Sequence, residues 1–516
     1  MSPTTTSSTR SPGGTLAVFD AFDPTGQGAY DNAVSRFREQ NIVLPTFAQL
    51  RDPSNSPAEI REQLASVDKD APDSRNLFRV HWYNEHADVP GQDNHPGLVD
   101  VPNHVELPSE LTGVDARIVL AFGNRFPMIR AHKVLAAYSC LAARLVTGRF
   151  DPINNRAIWP STGNYARGGI AISKIMGCRG VAILPEGMSR ERFEWLERWT
   201  TNPEEDVIKT FGTESNVKEI YDACNELSLD PSNVILNQFS EFSNHLGHYA
   251  VTGPALETVF NHVTADRPGT LAAFVSASGS AGTLGAGDYL KDEHGARIVG
   301  VEALECPTML HNGFGDHNIQ GIGDKHIPLI HNVTNTDLVV GVSDNSTNRL
   351  DVLFNTPSGK HVLAERGVAP ELVNALVDMG YSSICNTLAA ITAAKQWGLG
   401  SDDVIMSVAT DGSDLYNSDR ERIMSTEFPG GFDESHAAET FDTHLMGLPT
   451  EAMEMDETTR NRVFNLGYFT WVEQQGVDIP DFEMRRDQSW WNSLRPLIGE
   501  WDTMIEEFND ATGVTI

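Results

Sequence analysis

The chain has 516 residues, of which 40% are hydrophobic, and its formal net charge is −33. So acidic a chain argues against nucleic acids and anionic membranes as partners, because both require a basic face. No apolar run approaches the roughly 20 residues of a membrane span, and the polar first residues lack the apolar segment of a secretory signal. Five widely spaced cysteines without a CxxC pair indicate a reducing cytoplasm rather than a disulfide framework.

Four regions follow one another along the sequence. Residues 1–14 are rich in Ser, Thr, Pro and Gly and are predicted to be a disordered tail, with a short organellar transit peptide as the alternative. Residues 15–112 are predicted to form an N-terminal extension of short helices and Pro- and Asp-rich loops. Residues 113–430 alternate short apolar strands with helical patterns, which predicts an α/β core with a parallel-rich sheet. Residues 431–516 are predicted to be an acidic, helical C-terminal extension.

The first candidate site residue lies on a helix predicted over residues 129–146. This stretch is apolar nearly all round, so we expect it to be buried, with Lys133 in its first turn. Burial and the positive helix end both lower the pKa of an amine, which makes it a better nucleophile. A lysine that reaches solvent from the helix start is the alternative interpretation.

A polar turn follows about one helix later. Ser161, Thr162, Gly163 and Asn164 stand in a row between a predicted strand and a second apolar helix. Hydroxyl, amide and backbone donors in one turn can bind a carboxylate. The same residue types also form ordinary helix N-caps, so the turn alone does not decide between the two.

A loop of small residues occupies positions 279–283, between an apolar strand ending near Val275 and a helix predicted over residues 284–291. The next strand is predicted over residues 297–302. Backbone N–H groups at a helix start are unpaired and lie at the positive end of the helix dipole, so they bind phosphate well. Many nucleotide-binding folds use such a loop, and its meaning depends on the other segments.

Together, these segments resemble the cysteine synthase/cystathionine β-synthase family of fold-type II pyridoxal phosphate (PLP) enzymes, in the tryptophan synthase β-like superfamily. The family's Ser-Gly-Asn-Thr, Pro-Glu-x-Met-Ser and Gly-Thr-Gly-Gly-Thr motifs match residues 162–165, 185–189 and 279–283. Its Gln-Phe-x-Asn and His-Tyr-x-x-Thr-Gly-Pro motifs match residues 238–239 and 248–254, and two later motifs match residues 298–302 and 319–323. The resemblance covers roughly residues 115–420.

The resemblance implies a role for each matched residue. Lys133 would carry the cofactor as a Schiff base, and Asn164 would hydrogen-bond the 3′ oxygen of PLP. The phosphate would lie in the loop formed by Gly279, Ser280, Ala281, Gly282 and Thr283. The substrate carboxylate would be held by Ser161, Thr162, Gly163 and Gln238.

The sequence departs from the family at several positions that concern the substrate. Tyr165 replaces a Thr in the Asn loop, and Ala131 and Val134 replace the residues that usually flank the lysine. In the family, a Ser within a Pro-Asp-Ser-Gly stretch faces the pyridine nitrogen, and an ungapped match places Gly412 there.

We predict that Ser413 takes over this role at the pyridine nitrogen, with Thr410 as an alternative. Asp411 in this role would change the electronic state of the cofactor, because a carboxylate keeps the pyridine nitrogen protonated.

The resemblance implies a fold-type II architecture of two α/β domains, with parallel-rich sheets covered by helices, plus the two extensions. It implies a PLP-dependent lyase or transferase that removes the α-proton of a small amino acid. β-Elimination or β-replacement would then follow through an aminoacrylate, as in cysteine synthase. A serine/threonine-type dehydratase or racemase, and a catalytically silent binding or regulatory subunit, stay open as alternatives.

Two further expectations concern metal and oligomeric state. Cys306, His311, His317, His326 and His331 lie close in sequence, but their spacing fits no standard zinc pattern, so we predict no metal site. A homodimer is expected, because three tryptophans near the C terminus bury a large apolar area wherever they pack: Trp490, Trp491 and Trp501. The alternative is that they cover the core of their own chain.

Overall fold

A computed structural model describes residues 16–86, 95–323 and 325–514 of the chain. The tail predicted over residues 1–14 lies outside the described residues. Within them, two sheets carry the fold, one of seven strands and one of four. Both are flanked by helices, so the α/β class with parallel-rich sheets is confirmed.

The larger sheet has the strand order β1-β2-β10-β7-β8-β9-β11. Its five central strands are parallel, while β1 and β11 are antiparallel to their neighbours at the two edges. The strands are β1 (His104–Leu107), β2 (Arg117–Phe122), β7 (Thr270–Ala277), β8 (Arg297–Ala303), β9 (Leu338–Val342), β10 (Asp403–Ala409) and β11 (Thr450–Glu454). The strands β2, β7, β8 and β10 fall within residues 113–430, where the sequence predicts short apolar strands, and buried parallel strands have such continuous apolar sequences.

The smaller sheet is entirely parallel, with the order β5-β4-β3-β6. Its strands are β3 (Arg156–Pro160), β4 (Arg179–Pro185), β5 (Val207–Thr210) and β6 (Asn233–Ile235). In an open parallel sheet, ligands bind beyond the carboxyl ends of the strands. The polar turn over residues 161–164 follows β3 directly and therefore lies at this edge.

Twenty-three α-helices are assigned within the described residues. In the first half of the chain they are α1 (Gln27–Gln40), α2 (Phe47–Arg51), α3 (Ala58–Leu64), α4 (Ser109–Thr112), α5 (Lys133–Val146), α6 (Asn164–Ile175), α7 (Arg190–Trp199), α8 (Pro203–Asp206), α9 (Val217–Leu227), α10 (Phe242–Gly247) and α11 (Gly253–Thr264). In the second half they are α12 (Leu284–His294), α13 (Thr308–His311), α14 (Asp344–Asn355), α15 (Pro357–Glu365), α16 (Pro370–Ala375), α17 (Tyr381–Trp397), α18 (Asn417–Glu427), α19 (Glu434–Thr440), α20 (Glu457–Tyr468), α21 (Ile479–Met484), α22 (Gln488–Leu494) and α23 (Leu497–Thr512). Among the described residues, no helix is both long and apolar enough to cross a bilayer.

Helix α5 is buried along its whole length except at Arg144, as its sequence predicts. It packs against α6, α10 and α23. The helix begins at Lys133 and not at residue 129, so that part of the prediction is wrong. The reason is local, since Met128 (φ 65°) and Arg130 (φ 51°) adopt left-handed conformations that a right-handed helix cannot contain.

The two extensions are integrated with the core. Strand β1, from the predicted N-terminal extension, and β11, from the predicted C-terminal one, both join the larger sheet. The C-terminal region is therefore mostly helical with one strand, and the boundaries drawn at residues 113 and 430 stay predictions. The extensions also contact each other, because the Asp502 carboxylate accepts hydrogen bonds from the N–H groups of Phe47 and Ala48 at the start of α2.

The C-terminal tryptophans are buried within their own chain. Trp490 packs edge-on against Phe242, and Trp491 lies against His245. Trp501 donates its indole N–H to the backbone oxygen of Phe19 at 2.7 Å. All three side chains are at most 3% exposed, so the structure supports intrachain packing for them, and they supply no argument for a dimer interface.

Candidate active site

Lys133 stands at the start of α5 with its side chain buried in the protein. Its Nζ donates a hydrogen bond to Ser280 Oγ at 3.0 Å. Burial is the main cause that lowers the pKa of Lys133, to about 8, from the usual value for lysine. The structure thus brings the predicted lysine to the predicted phosphate loop, with an amine that loses its proton readily.

The loop over residues 279–283 connects β7 to α12 and is closely packed. A Cβ on Gly282 would lie 2.2 Å from Asn244 Oδ1, and one on Gly279 would lie 2.9 Å from the backbone oxygen of Gly321. Ala281 adopts a left-handed φ of 64°, a conformation that favours glycine. The Thr283 side chain does not cap α12, and the first N–H groups of that helix, from Leu284 to Ala286, donate to backbone oxygens of the loop.

Asn244 connects this loop to Gln238. Its Nδ2 donates to Ser280 Oγ at 3.2 Å and to the backbone oxygen of Gln238 at 3.0 Å. Asn244 and Gln238 are both buried. Sequence reasoning predicted Gln238 and missed Asn244, because an Asn at this position carries no signal until the loop packs against it.

The polar turn after β3 is fixed by a hydrogen bond within the turn and by close packing against an arginine. The Gly163 N–H donates to Ser161 Oγ at 2.9 Å, and Thr162 beside them is buried. Gly163 has a φ of 154°, and a Cβ there would lie 2.8 Å from Nε of Arg192. Only glycine allows this close approach of the turn to the arginine.

Asn164 begins α6, and both ends of its amide have protein partners. Its Nδ2 donates to Asp411 Oδ2 at 2.6 Å, and its Oδ1 accepts from Arg167 Nη1 at 2.9 Å. A side-chain amide carries two N–H donors. One of them is directed at Asp411, which leaves the second available for a ligand.

Asp411 follows β10 and is buried among polar side chains from the helices and loops that follow strands of both sheets. Burial raises the pKa of its carboxyl, while the Arg192 guanidinium, 3.6 Å from Oδ2, acts in the opposite direction. The Tyr416 hydroxyl donates to the same carboxylate at 2.9 Å and accepts a hydrogen bond from Arg192 at 2.9 Å. Sequence reasoning noted Asp411 but missed Arg192 and Tyr416, because their spacing from Asn164 shows no pattern along the chain.

Ser413 lies in the same loop after β10 as Asp411 but contacts other residues. Its Oγ donates to Asn355 Oδ1 on α14 at 2.9 Å, and its backbone oxygen accepts from Arg420. The structure therefore brings Asp411, and not Ser413, into contact with Asn164. The role of Ser413 at the pyridine nitrogen stays a prediction.

The five Cys and His residues considered for a metal have separate partners. His311 pairs with Glu451 at 2.8 Å, His326 lies 3.0 Å from the Tyr221 hydroxyl, and His331 Nε2 lies 3.1 Å from Thr336 Oγ1. Within the described part of the chain, no cluster of three or more potential ligands could hold a metal ion.

Known proteins resemble about half of this chain. The family described as "Pyridoxal-phosphate dependent enzyme" matches residues 108–347. Cysteine synthase B of Campylobacter jejuni is 30% identical over 256 residues, which are 48% of this chain and 75% of that protein. Cysteine synthase of Staphylococcus aureus is 28% identical over 255 residues, covering 49% of this chain and 73% of the relative.

Solved structures agree on the fold. Cysteine synthase from Entamoeba histolytica superposes with a TM-score of 0.51 at 21% identity, covering 67% of this chain and 92% of that one. A hydrogen sulfide-producing enzyme from Fusobacterium nucleatum gives a TM-score of 0.51 at 20% identity, over 61% of this chain and 96% of its own. The chain belongs to the cysteine synthase/cystathionine β-synthase family of pyridoxal-phosphate-dependent enzymes, and PLP is its cofactor.

The residues present fit this cofactor. The loop after β7 connects a strand to a helix start, and its glycines leave no room for a larger residue beside Asn244 and Gly321. A buried amine of lowered pKa lies within hydrogen-bonding distance of that loop. The Asn164 amide is fixed by hydrogen bonds to Asp411 and Arg167, which leaves its second N–H donor for a ligand.

Proposed function

We propose that this protein acts on a small amino acid by removing its α-proton and then eliminating or replacing its β-substituent, as cysteine synthases do. The observation that carries the proposal is the contact of Lys133 Nζ with Ser280 of the loop over residues 279–283, at 3.0 Å. We assign the phosphate of PLP to that loop and the covalent link to Lys133. Asn164 is assigned to the 3′ oxygen of the cofactor.

PLP, when bound, delocalises the negative charge that develops on the α-carbon of the substrate. The protein supplies the base. Lys133 Nζ would accept the α-proton when it is not linked to the cofactor. A pKa of about 8 suits this task, because a base works best when its pKa is close to the working pH.

Ser161, Thr162, Gly163 and Gln238 are assigned to the substrate carboxylate. The turn after β3 is rich in donors, and Gly163 packs against Arg192, whose charge is paired with Asp411. The β-substituent leaves with the bonding electrons. Water then releases ammonia and a keto acid, or a nucleophile adds at the β-carbon to give a new amino acid.

We further propose a homodimer in the cytoplasm. The five cysteines are free thiols in the structure, which suits a reducing compartment. Because the three C-terminal tryptophans are buried within the chain, we assign the dimer interface to the α/β core over residues 113–430. Gel filtration with light scattering tests this assignment, and a monomer at micromolar concentration would contradict it.

A substrate screen tests the proposed reaction. The PLP-loaded protein is mixed separately with O-acetyl-L-serine, L-cysteine, L-serine and L-threonine, and the absorption of the bound cofactor is followed. We expect a spectral change with a β-substituted amino acid, together with sulfide, pyruvate or a replacement product. Threonine turnover alone would identify a dehydratase and would contradict the likeness to cysteine synthase, although a β-substituent is still eliminated. D-amino acid formation would identify a racemase and silence with all four compounds a binding subunit, and either result would contradict the proposed reaction.

A further inference from the structure

The segment that leads into Lys133 has an unusual backbone. Met128 and Arg130, on either side of Ile129, both have a left-handed φ, of 65° and 51°. Residues with a Cβ adopt this conformation rarely, and such residues concentrate at functional sites when surrounding structure holds them in place. The segment therefore needs external contacts, and they determine where Lys133 begins its helix.

The N-terminal extension supplies part of those contacts. The N–H of Met128 donates to the backbone oxygen of Lys69 at 3.1 Å and to Asp70 Oδ1 at 3.2 Å. The carbonyl oxygens of the segment are held from the other side, since Trp195 donates to Met128 and Arg167 to Ile129. The left-handed turn at Met128 is thus fixed between the extension and the smaller sheet's helices.

A second contact from the extension reaches the residue just before the lysine. The Trp82 indole is stacked on the His132 ring, with centroids 5.5 Å apart and planes at 27°. Trp82 is 1% exposed and donates its Nε1–H to Thr252 Oγ1 at 3.0 Å, which fixes the indole plane. It also packs edge-on against Phe126 at the start of the same segment.

We propose that the N-terminal extension is a working part of the cofactor site, in which Asp70 and Trp82 are positioning residues that hold residues 126–132 and thereby fix Lys133 against the phosphate loop. The proposal rests on the assignment of Lys133 under Proposed function. Asp70 and Trp82 lie outside residues 108–347, which the family match covers. The extension therefore contributes contacts from outside the matched region to a site in the core.

Two cofactor forms separate a positioning role from a general structural role. PLP has an aldehyde that links to Lys133, whereas pyridoxamine 5′-phosphate has the same ring and phosphate and cannot form that link. Misplacing Lys133 should weaken the binding of PLP alone. Damage to the pocket as a whole should weaken the binding of both.

The experiment titrates the full-length apo-protein with each cofactor form. For Asp70→Ala and Trp82→Leu we expect PLP to bind at least about tenfold more weakly, since small misplacements at a reacting group have large effects, with pyridoxamine 5′-phosphate affinity retained. Asp70→Asn keeps an acceptor oxygen for the Met128 N–H while it removes the ion pair with Lys69, and it should bind PLP more tightly than Asp70→Ala. Phe78→Leu is the matched control, because Phe78 is buried in the same extension but packs in a separate cluster with Ile60 and Leu64.

Equal weakening for both cofactor forms, or unchanged PLP affinity in both variants, would overturn the proposal. If Trp82→Leu does not fold, Trp82→Phe replaces it, because phenylalanine keeps an aromatic ring beside His132 and loses the indole N–H. Asp70→Ala then tests the contact with Met128. Lys133→Ala separates the two levels of inference. If it binds PLP as tightly as the unaltered protein, the assignment of Lys133 is at fault; if it loses affinity while Asp70→Ala and Trp82→Leu do not, the positioning role alone is wrong.

Discussion

At the scale of single residues, the buried lysines determine the chemistry that the site can perform. Of the nine lysines, all within the described ranges, Lys133 and Lys69 are buried. Burial lowers the pKa of both. Lys69 forms an ion pair with Asp70 at 2.7 Å, whereas Lys133 donates to the neutral hydroxyl of Ser280. Lys133 is therefore the amine that can give up its proton without leaving a charged partner behind.

The rate at which apo-protein links to PLP should depend on pH through Lys133. The amine is the reactive form, and it predominates above its pKa, which burial lowers to about 8. We expect the rate to rise as the pH increases and to level off above about 8. Stopped-flow absorbance over a pH series measures this, and a rate that still rises toward pH 10 would contradict the lowered pKa.

Substitution of a loop glycine should weaken cofactor binding. Gly282→Ala places a methyl group 2.2 Å from Asn244 Oδ1 and displaces the side chain that holds Ser280. Overpacking of this kind costs about 1–3 kcal/mol, so we expect PLP affinity to fall between about fivefold and about a hundredfold. Gly400→Ala is the control, since a Cβ there meets no atom within 4 Å. Equal affinities for the two variants in a PLP titration would show that the loop does not hold the phosphate.

The sequence predicts candidate site residues but not their contacts. Lys133, Asn164 and residues 279–283 are candidates because each belongs to a motif with fixed local spacing. The partners Asp411, Arg192 and Asn244 come from other elements, and their contacts depend on how the two sheets pack. For that reason Ser413 could be predicted as a candidate in the loop after β10, while its contact with Asn355 could not be predicted.

At the scale of elements, a buried charged pair connects the two sheets. Arg192 lies on α7, which follows β4 of the smaller sheet, and Asp411 follows β10 of the larger one. Both side chains are at most 1% exposed, and Tyr416 bridges them. Because a buried charge without its partner is costly, we expect this pair to fix how the two sheets meet around Asn164.

Removing both members of the pair should destabilise the protein by less than the sum of the two single losses. Arg192→Met leaves the Asp411 carboxylate buried without its counter-ion, which costs about 3–5 kcal/mol. The double variant Arg192→Met with Asp411→Asn has no unpaired charge, so its loss should be smaller than the sum of the single losses. Urea unfolding of the four proteins measures the coupling. Strict additivity of the two losses would mean that the groups do not interact.

At the scale of the whole molecule, the extensions and the core form one structure. The N-terminal region contributes β1 and the contacts of Asp70 and Trp82, and the C-terminal region contributes β11 and three buried tryptophans. The sequence predicted the α/β core because its apolar strands and helices alternate regularly. It could not predict where the extensions pack, since edge strands such as β11 (Thr450–Glu454) are short and only partly apolar.

Truncation after Gly430 should therefore prevent folding. It removes β11 from its ladder with β9 and removes Trp490, Trp491 and Trp501 from the core. Loss of one buried tryptophan side chain costs about 3–5 kcal/mol, and the three together reach the about 5–15 kcal/mol that holds a typical protein folded. Truncation after Gly513, beyond the last helix, is the control. A folded monomer that still binds PLP after truncation at residue 430 would contradict intrachain packing.

The central claim is that Lys133 carries PLP, and borohydride reduction followed by peptide mapping tests it most directly. Reduction makes the lysine–cofactor link permanent, and mass spectrometry of a digest then identifies the modified lysine. We predict the label on the peptide that contains Lys133, in one lysine of the nine. A label on Lys69 or on any other lysine, with Lys133 unmodified, would contradict the account.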